Sequence, residues 1–146
     1  MSAPAADAIA AEARRWIGTP YRHQASLHGV GCDCLGLVRG VWRACIGPEP
    51  EQPGAYTPDW AEASGVERLA DAGARHFVRI EAASFAAGDV LLFRWRDNTP
   101  AKHLAIAVSA TTMVHAHDGA CVCEVAISRW WRRRLAYAFR FPGAGV

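Results

Sequence analysis

The sequence has no long apolar run, only a small net charge and too few cysteines to pair evenly, and each of these excludes something. No stretch approaches the ~18 consecutive apolar residues that a membrane-spanning helix needs, so no span is expected. The opening "MSAPAADAIAAEARRW" lacks a basic segment followed by an apolar one. No secretory signal is read there, and work at the periplasm or cell wall would need another carrier for a chain made in the cytoplasm. Charged residues make up 21% and the formal net charge is +2, far from the basic bias of a dedicated nucleic-acid binder. Five cysteines is an odd number, so at least one is unpaired in a monomer. Cys32/Cys34 and Cys121/Cys123 are each spaced too closely to bridge internally without strain, and reduced thiols are the expectation. There is no internal repeat and no low-complexity tract.

What is present is an ordinary globular balance, with 51% apolar residues in a chain of 146, enough for one domain over residues 1–146. Ile9, Ala13, Trp16 and Ile17 recur at helical spacing up to Gly18. Arg22 to Gly31 is polar and glycine-bearing, hence a loop. A second helix is predicted from about Cys34 to Cys45, stopped by Gly47-Pro48 and followed by a surface loop, "GPEPEQPG". Thr57-Pro58 reads as an N-cap and first helical position, opening a helix with Trp60, Ala63, Val66 and Leu69 on one side. After Gly73 the period changes to two, in "HFVRI", "DVLLFRW", "HLAIAV", "TMVHAH", "CVCEVAI" and "LAYAFRF". Helices first and strands second predict an α+β domain with an antiparallel sheet packed on helices.

The stretch "GVGCDCLGLVRGVW" raises the question of chemistry. Asp33 is placed to cap the second helix, which makes Cys34 its first residue, near the positive end of the helix dipole. A thiolate is stabilised there, and backbone N–H groups at the same terminus can face an oxyanion. Gly36 keeps the neighbouring turn free of bulk, leaving room for substrate. The competing reading is that Cys34, like most free cysteines, packs. A nucleophilic cysteine wants an imidazole oriented by a third polar group. His103 opens one predicted strand and His115 lies in the next. They share a face if the hairpin turning near Ser109 has an odd loop, and His117 then rivals His115 for the third position. Against this stands the ordinary case of a structural or surface histidine.

"GTPYRHQASLHGVGCDCLGLVRGVW", "GDVLLF", "KHLAIAV" and "MVHA" together resemble the motif series of the NlpC family of cell-wall cysteine peptidases. The resemblance spans roughly Trp16 to Ala116. It implies a papain-like fold with Cys34 as nucleophile, His103 as general base and acid, and His115 orienting His103. Tyr21 would line the site and help hold the oxyanion, so that Tyr21 and Asp33 make up its substrate and oxyanion side. Asp89 in the "GD" turn would be structural. No cofactor is implied. Departures are Leu35 where serine is usual, Cys32 in place of an apolar residue, and Ala87 where proline often stands. The "CDCLGL" variant and the Trp/Arg-rich end are most similar to the branch found in tailed phages and gene transfer agents. That implies a virion or particle tail component with neighbouring tail proteins as partners and peptidoglycan stem peptides as substrate. Within the family the implied scissile bond joins γ-D-glutamyl to meso-diaminopimelate. The alternatives are an acyltransferase or amidase on the same scaffold, and a structural tail protein with a vestigial site.

Two other constellations weigh less. A zinc site from Cys32, Cys34, Cys121 and Cys123 would need one-residue spacers, which strain a tetrahedral chelate, so no metal is expected. Cys121 and Cys123, pointing to one strand face, instead pack. In "SRWWRRRLAYAFRF" the arginines read as solvated on a strand or turn while the tryptophans cap the core. A docking surface for a tail protein comes next, and nucleic acid last.

Overall fold

A computed structural model describes residues 5–51 and 67–144. Helix α1 (Ala6–Arg15) buries Ile9, Ala10 and Ala13, and Trp16, its C-cap, is buried too. The stripe ends there: Ile17 lies beyond the helix and is 45% exposed, because Gly18 turns away to donate its N–H to the Val122 carbonyl at 2.9 Å. Helix α2 (Cys34–Cys45) has the predicted limits and buries Leu37, Val38, Val41 and Trp42. The acidic loop after it does not simply lie on the surface at its start. Glu49 accepts hydrogen bonds from Arg39 and Arg43, and the Trp42 indole donates to the Pro48 carbonyl at 3.0 Å.

Arg22 to Gly31, expected as plain loop, contains a two-residue ribbon, β1 (Ser26–Leu27) paired antiparallel with β2 (Gly31–Cys32). The helix expected from Thr57-Pro58, with Trp60, Ala63 and Val66, falls outside the described residues. Helix α3 (Arg68–His76) begins after its N-cap Glu67 and buries Leu69. The change of period at Gly73 is therefore placed too early. Gly73 does not stop this helix: it lets the helix lie against the Phe139 ring, where an added Cβ would come within 2.7 Å.

The remaining strands are β3 (Val78–Ile80), β4 (Val90–Phe93), β5 (His103–Ala107), β6 (Thr112–His115), β7 (Cys123–Ala126) and β8 (Leu135–Arg140). A single 3₁₀ turn, Ala82–Ser84, follows β3. The strands form one antiparallel sheet in the order β3-β8-β4-β5-β6-β7, giving the expected α+β architecture. Arg129–Arg134 is a short helix, α4, rather than a strand or turn. Between Leu92 and Phe93 the β4/β8 register slips, so that Leu92 pairs with Tyr137 and Phe93 with Leu135.

Both faces of the central strands are covered, which is why β4 and β5 are buried at every position instead of alternating. On one face Ile9, Trp16, Leu37 and Val41 of the helices pack on Leu92, Leu104, Ile106 and Phe139. On the other, Leu91, Phe93, Ala105, Met113 and Ile127 are closed over by Phe85, Trp131 and Leu135. Asp89 ties the sheet ends: Arg140 donates to both its oxygens at 2.9 Å, and the Ala86 N–H donates at 2.8 Å, the structural role expected of it. Among the described residues no helix is long and apolar enough to cross a membrane.

Candidate active site

The start of α2 is built around one buried carboxylate. Asp33 is 2% exposed, and its Oδ1 accepts from the Gly36 N–H at 2.7 Å, the capping bond that the sequence calls for. Its Oδ2 accepts from the Gln24 N–H at 2.8 Å, and Gln24 sits in the left-handed region at φ 67°. The Asp33 N–H donates to the Ala25 carbonyl at 3.3 Å. Asp33 thus binds the loop to the helix with both oxygens. Gly36 serves the same junction, because a Cβ there would stand 1.8 Å from the Ala25 oxygen. The space beside Gly36 is filled by loop backbone, so the expectation that it is left for substrate is corrected.

Cys34 follows the cap and is half-buried. Its Sγ donates toward the Lys102 carbonyl at 3.8 Å, and the Leu104 N–H is directed at the same sulfur. The thiol therefore rests on backbone from both sides of His103. Burial pushes its pKa up to about 11, and the Asp33 charge adds to that; the N–H groups of Leu104, Leu35 and Cys34 oppose it. A resting thiolate, expected from the helix dipole, is not what this environment favours. Loss of hydration outweighs the terminus.

The histidines come together through the β5/β6 register. Ile106 pairs with Val114 and Ala107 with Met113, and the Val108 N–H reaches the Thr112 carbonyl at 3.0 Å. That leaves Ser109, Ala110 and Thr111 as an odd loop, the condition for a shared face. Ser109 Oγ accepts from the Thr111 and Thr112 N–H groups and fixes the turn. His103 and His115 are then diagonal neighbours, with Nε2 of His103 2.9 Å from Nδ1 of His115. They are 5% and 4% exposed. His117 is exposed and stacks on His115 at 5.7 Å, 10° between planes, and meets His103 edge-on at 5.7 Å. Of the two rivals, His115 makes the hydrogen bond.

Burial, reinforced by His115, His117 and Lys102, holds His103 well below the ordinary imidazole value of 6.5. Burial, with a smaller effect of His117, pushes His115 down to about 4. Both rings are neutral at pH 7. Tyr21 is half-buried, and its strand-like bridge to Cys32 carries it to the Cys34 side of the site. Burial and then the charge of Cys34 push its phenol up to about 12, so its hydroxyl is a donor at every physiological pH. Leu35, in place of the usual serine, joins the core of the helix face, and Cys32 is fully buried. Cys123 is half-buried but Cys121 is exposed, so the two do not pack together as expected. Among the described residues no group of three or more His, Cys, Asp or Glu is placed to hold a metal ion.

Sequence reasoning missed the aromatic cover of the histidines. Trp95 lies 5.1 Å from the His103 ring at 30°, and Trp131 lies 5.5 Å from it at 26°. Trp95 had a signal, since the period of two puts it on the face of Leu91 and Phe93, and Phe93 pairs with His103. Trp131 had none: its helix is too short to show a period.

Comparison with known proteins places this geometry. Residues 18–140 match the model of the NlpC/P60 family. Among solved structures, the NlpC/p60 domain of the peptidoglycan hydrolase SagA is 26% identical with a TM-score of 0.63, covering 93% of this chain and 98% of that one. An NlpC/P60 family protein from Bacillus cereus (19% identity, TM-score 0.68) matches over 95% of this chain but 41% of its own. NlpC2 from Trichomonas vaginalis (16%, TM-score 0.67) matches over 97% and 48%. These two show the shared fold, and this chain spans under half the length of either. No curated protein is matched. A capped cysteine helix laid on an antiparallel sheet, a buried histidine pair and a family match running through all of them lead to one conclusion: the chain belongs to the NlpC/P60 family.

Proposed function

We propose that this chain is a cysteine endopeptidase acting on the stem peptide of peptidoglycan. The observation that carries the reading is the 2.9 Å bond between His103 and His115, buried beside a thiol that rests on the backbone flanking His103. Support for the substrate class comes from SagA, a peptidoglycan hydrolase whose NlpC/p60 domain aligns with nearly all of this chain.

Either ring can donate in this hydrogen bond, and the role of base toward Cys34 selects one arrangement. With Nε2 of His103 donating to Nδ1 of His115, Nδ1 of His103 carries the lone pair and serves as the base toward Cys34. His115 can accept only while neutral, and its depressed pKa keeps it so. In the reaction, Nδ1 takes the thiol proton as sulfur adds to the amide carbonyl carbon. The resulting oxyanion is met by the Cys34 backbone N–H and the Tyr21 hydroxyl. The imidazolium returns its proton to the amine nitrogen as the C–N bond breaks, leaving a thioester. Water, deprotonated by the same nitrogen, attacks the thioester, and the thiol leaves with the proton. Because burial disfavours both charged partners at rest, the ion pair forms only with substrate in place. Its stabilisation is therefore confined to the reacting state.

The proposed bond joins γ-D-glutamyl to meso-diaminopimelate, as the motif resemblance implies. The "CDCLGL" variant and the Trp/Arg-rich end support a place on the tail of a phage-like particle, with tail proteins as partners. Mass spectrometry of purified particles would find the chain there, and its absence from them would reject that placement. The catalytic test is Cys34→Ala on purified muropeptides. Cleavage is expected to fall at least ~1,000-fold with unchanged thermal unfolding; cleavage at the normal rate removes Cys34 from the mechanism. Products carrying an added amine in place of water would make the chain an acyltransferase.

A further inference from the structure

Trp131 reaches the histidine pair from outside the motif series. Its ring stacks on His103 (5.5 Å, 26°) and meets His115 edge-on (5.4 Å, 89°), so one indole spans both ends of the 2.9 Å hydrogen bond. Trp95 also lies over His103, but its other histidine neighbour is His117, at 6.1 Å. Phe93 backs Trp131 edge-on at 4.9 Å, and Trp130 does so at 4.8 Å.

The arginines around it hold this ring in place. Arg132 donates to the Ile127 carbonyl and to the Ala110 carbonyl, both at 3.1 Å, and its guanidinium lies 5.4 Å from the Phe85 ring centre. Ala110 belongs to the turn joining β5 and β6, the strands that carry His103 and His115. The Ile127 N–H donates to Thr111 in the same turn at 2.8 Å. Helix α4 is thus latched to the hairpin that presents the histidines. Arg134 stacks on Trp130 at 3.7 Å and donates to its carbonyl at 3.0 Å.

We infer that Trp131 is a positioning residue for the His103–His115 pair: it fixes the plane of the His103 ring and keeps water off the bond between the two imidazoles. The inference rests on the peptidase reading for its effect on rate, but not for its effect on the histidines. A histidine rotates about its outer side-chain torsion over a broad well. A flat partner against one face confines that rotation and keeps Nε2 of His103 on Nδ1 of His115. Water admitted to the bond would compete for Nδ1 of His115 and favour protonation of both rings. The charged and titratable groups that act on the pair are Lys102, next to His103 in the chain, and His117 beyond β6.

The experiment compares wild type, Trp131→Ala, Trp131→Phe and Arg132→Ala, with Cys34→Ala as a separate arm. In histidine-labelled wild type, NMR is expected to show the shared imidazole proton as a slowly exchanging downfield signal. In Trp131→Ala that signal is lost, and both histidines titrate at least one pH unit higher. The kcat on muropeptides is expected to fall ~10- to 100-fold with KM within about threefold, and the acid limb of the rate profile to move up with the histidines. Trp131→Phe, which keeps a ring, should restore most of both readouts, and Arg132→Ala should shift them in the same direction by a few fold. A fast-exchanging shared proton in wild type overturns the inference even if Trp131→Ala does not fold. So do histidine titrations unmoved in a folded Trp131→Ala. Should Cys34→Ala cleave normally, the peptidase reading fails while the NMR arm still decides what Trp131 does.

Discussion

The two faces of the sheet are closed in different ways, and the candidate site draws residues from both. One face is covered by α1 and α2, long enough to show helical periodicity and to bury a continuous apolar stripe. The other is covered by a 3₁₀ turn, the half-buried ring of Phe85 and a six-residue helix dominated by Trp and Arg. Cys34 belongs to the first face and approaches β5 along its backbone. The His103 and His115 rings belong with the second, beside Phe93 and Trp131. The first face works by exact backbone fit around a cap, and the second by aromatic exclusion of water from a polar pair. The proposed nucleophile and its proposed base are thus held by separate means, and each can be disturbed without the other.

The largest expected effect is on the first face. Gly36→Ala would drive a Cβ into the Ala25 carbonyl and break the junction of loop and helix. A loss of about 3 kcal/mol or more is expected in urea unfolding, together with loss of activity. Stability unchanged within 0.5 kcal/mol, on the scale of ordinary surface substitutions, would show that the loop gives way freely.

The second face should be the acid-sensitive one. His115 has a folded pKa of about 4 against 6.5 when unfolded. The unfolded chain therefore binds the extra proton first, and stability is full above pH 6.5 and lost as pH falls toward 4. For one group this amounts to about 3 kcal/mol. His115→Asn keeps an acceptor for His103 but does not titrate, so its unfolding free energy should vary less over that window. An equally steep dependence in His115→Asn would assign the acid sensitivity to His103 alone.

On activity, the same position sharpens the contrast. His115→Ala is expected to lower kcat ~100-fold by freeing the His103 ring, and His115→Asn by less than ~10-fold. Equal losses in the two would mean that the hydrogen bond is not what matters at this position. The smallest effect belongs to the outward side of α4. Arg129→Ala and Arg133→Ala, at exposed positions, should each change stability by less than ~0.5 kcal/mol and leave muropeptide cleavage unaltered.

The sequence made the first face legible and much of the second illegible, for physical reasons. Asp33 as cap and the limits of α2 follow from local rules, because each depends on near neighbours; the shared face of His103 and His115 is legible only as a condition on the turn, which the β5/β6 register meets. The β1/β2 ribbon is illegible because two-residue strands have no period; its turn is closed by the backbone bond from Val30 N–H to the Leu27 carbonyl. Gly36 was read as open space because its neighbour, Ala25, arrives through the folding of the loop. The protonation state of Cys34 turned on burial, which depends on what Lys102 and Leu104 bring to the sulfur from far along the chain. Trp131 is legible as a cap on the core but not as a neighbour of the histidines, for a similar reason: its place is set by a hairpin turn that Arg132 finds twenty-two residues earlier.

The slipped register between β4 and β8 has a consequence for how this domain can change in length. One step along β4, from Leu92 to Phe93, is matched by two along β8, so Ala136 is a spare rung. Deleting Ala136 would straighten the ladder and draw α4 along by about 3.4 Å, one strand residue. Trp131 would then slide off the imidazoles while every motif residue stayed in place. Descendants of such a deletion would keep the full family signature and lose the roof over it.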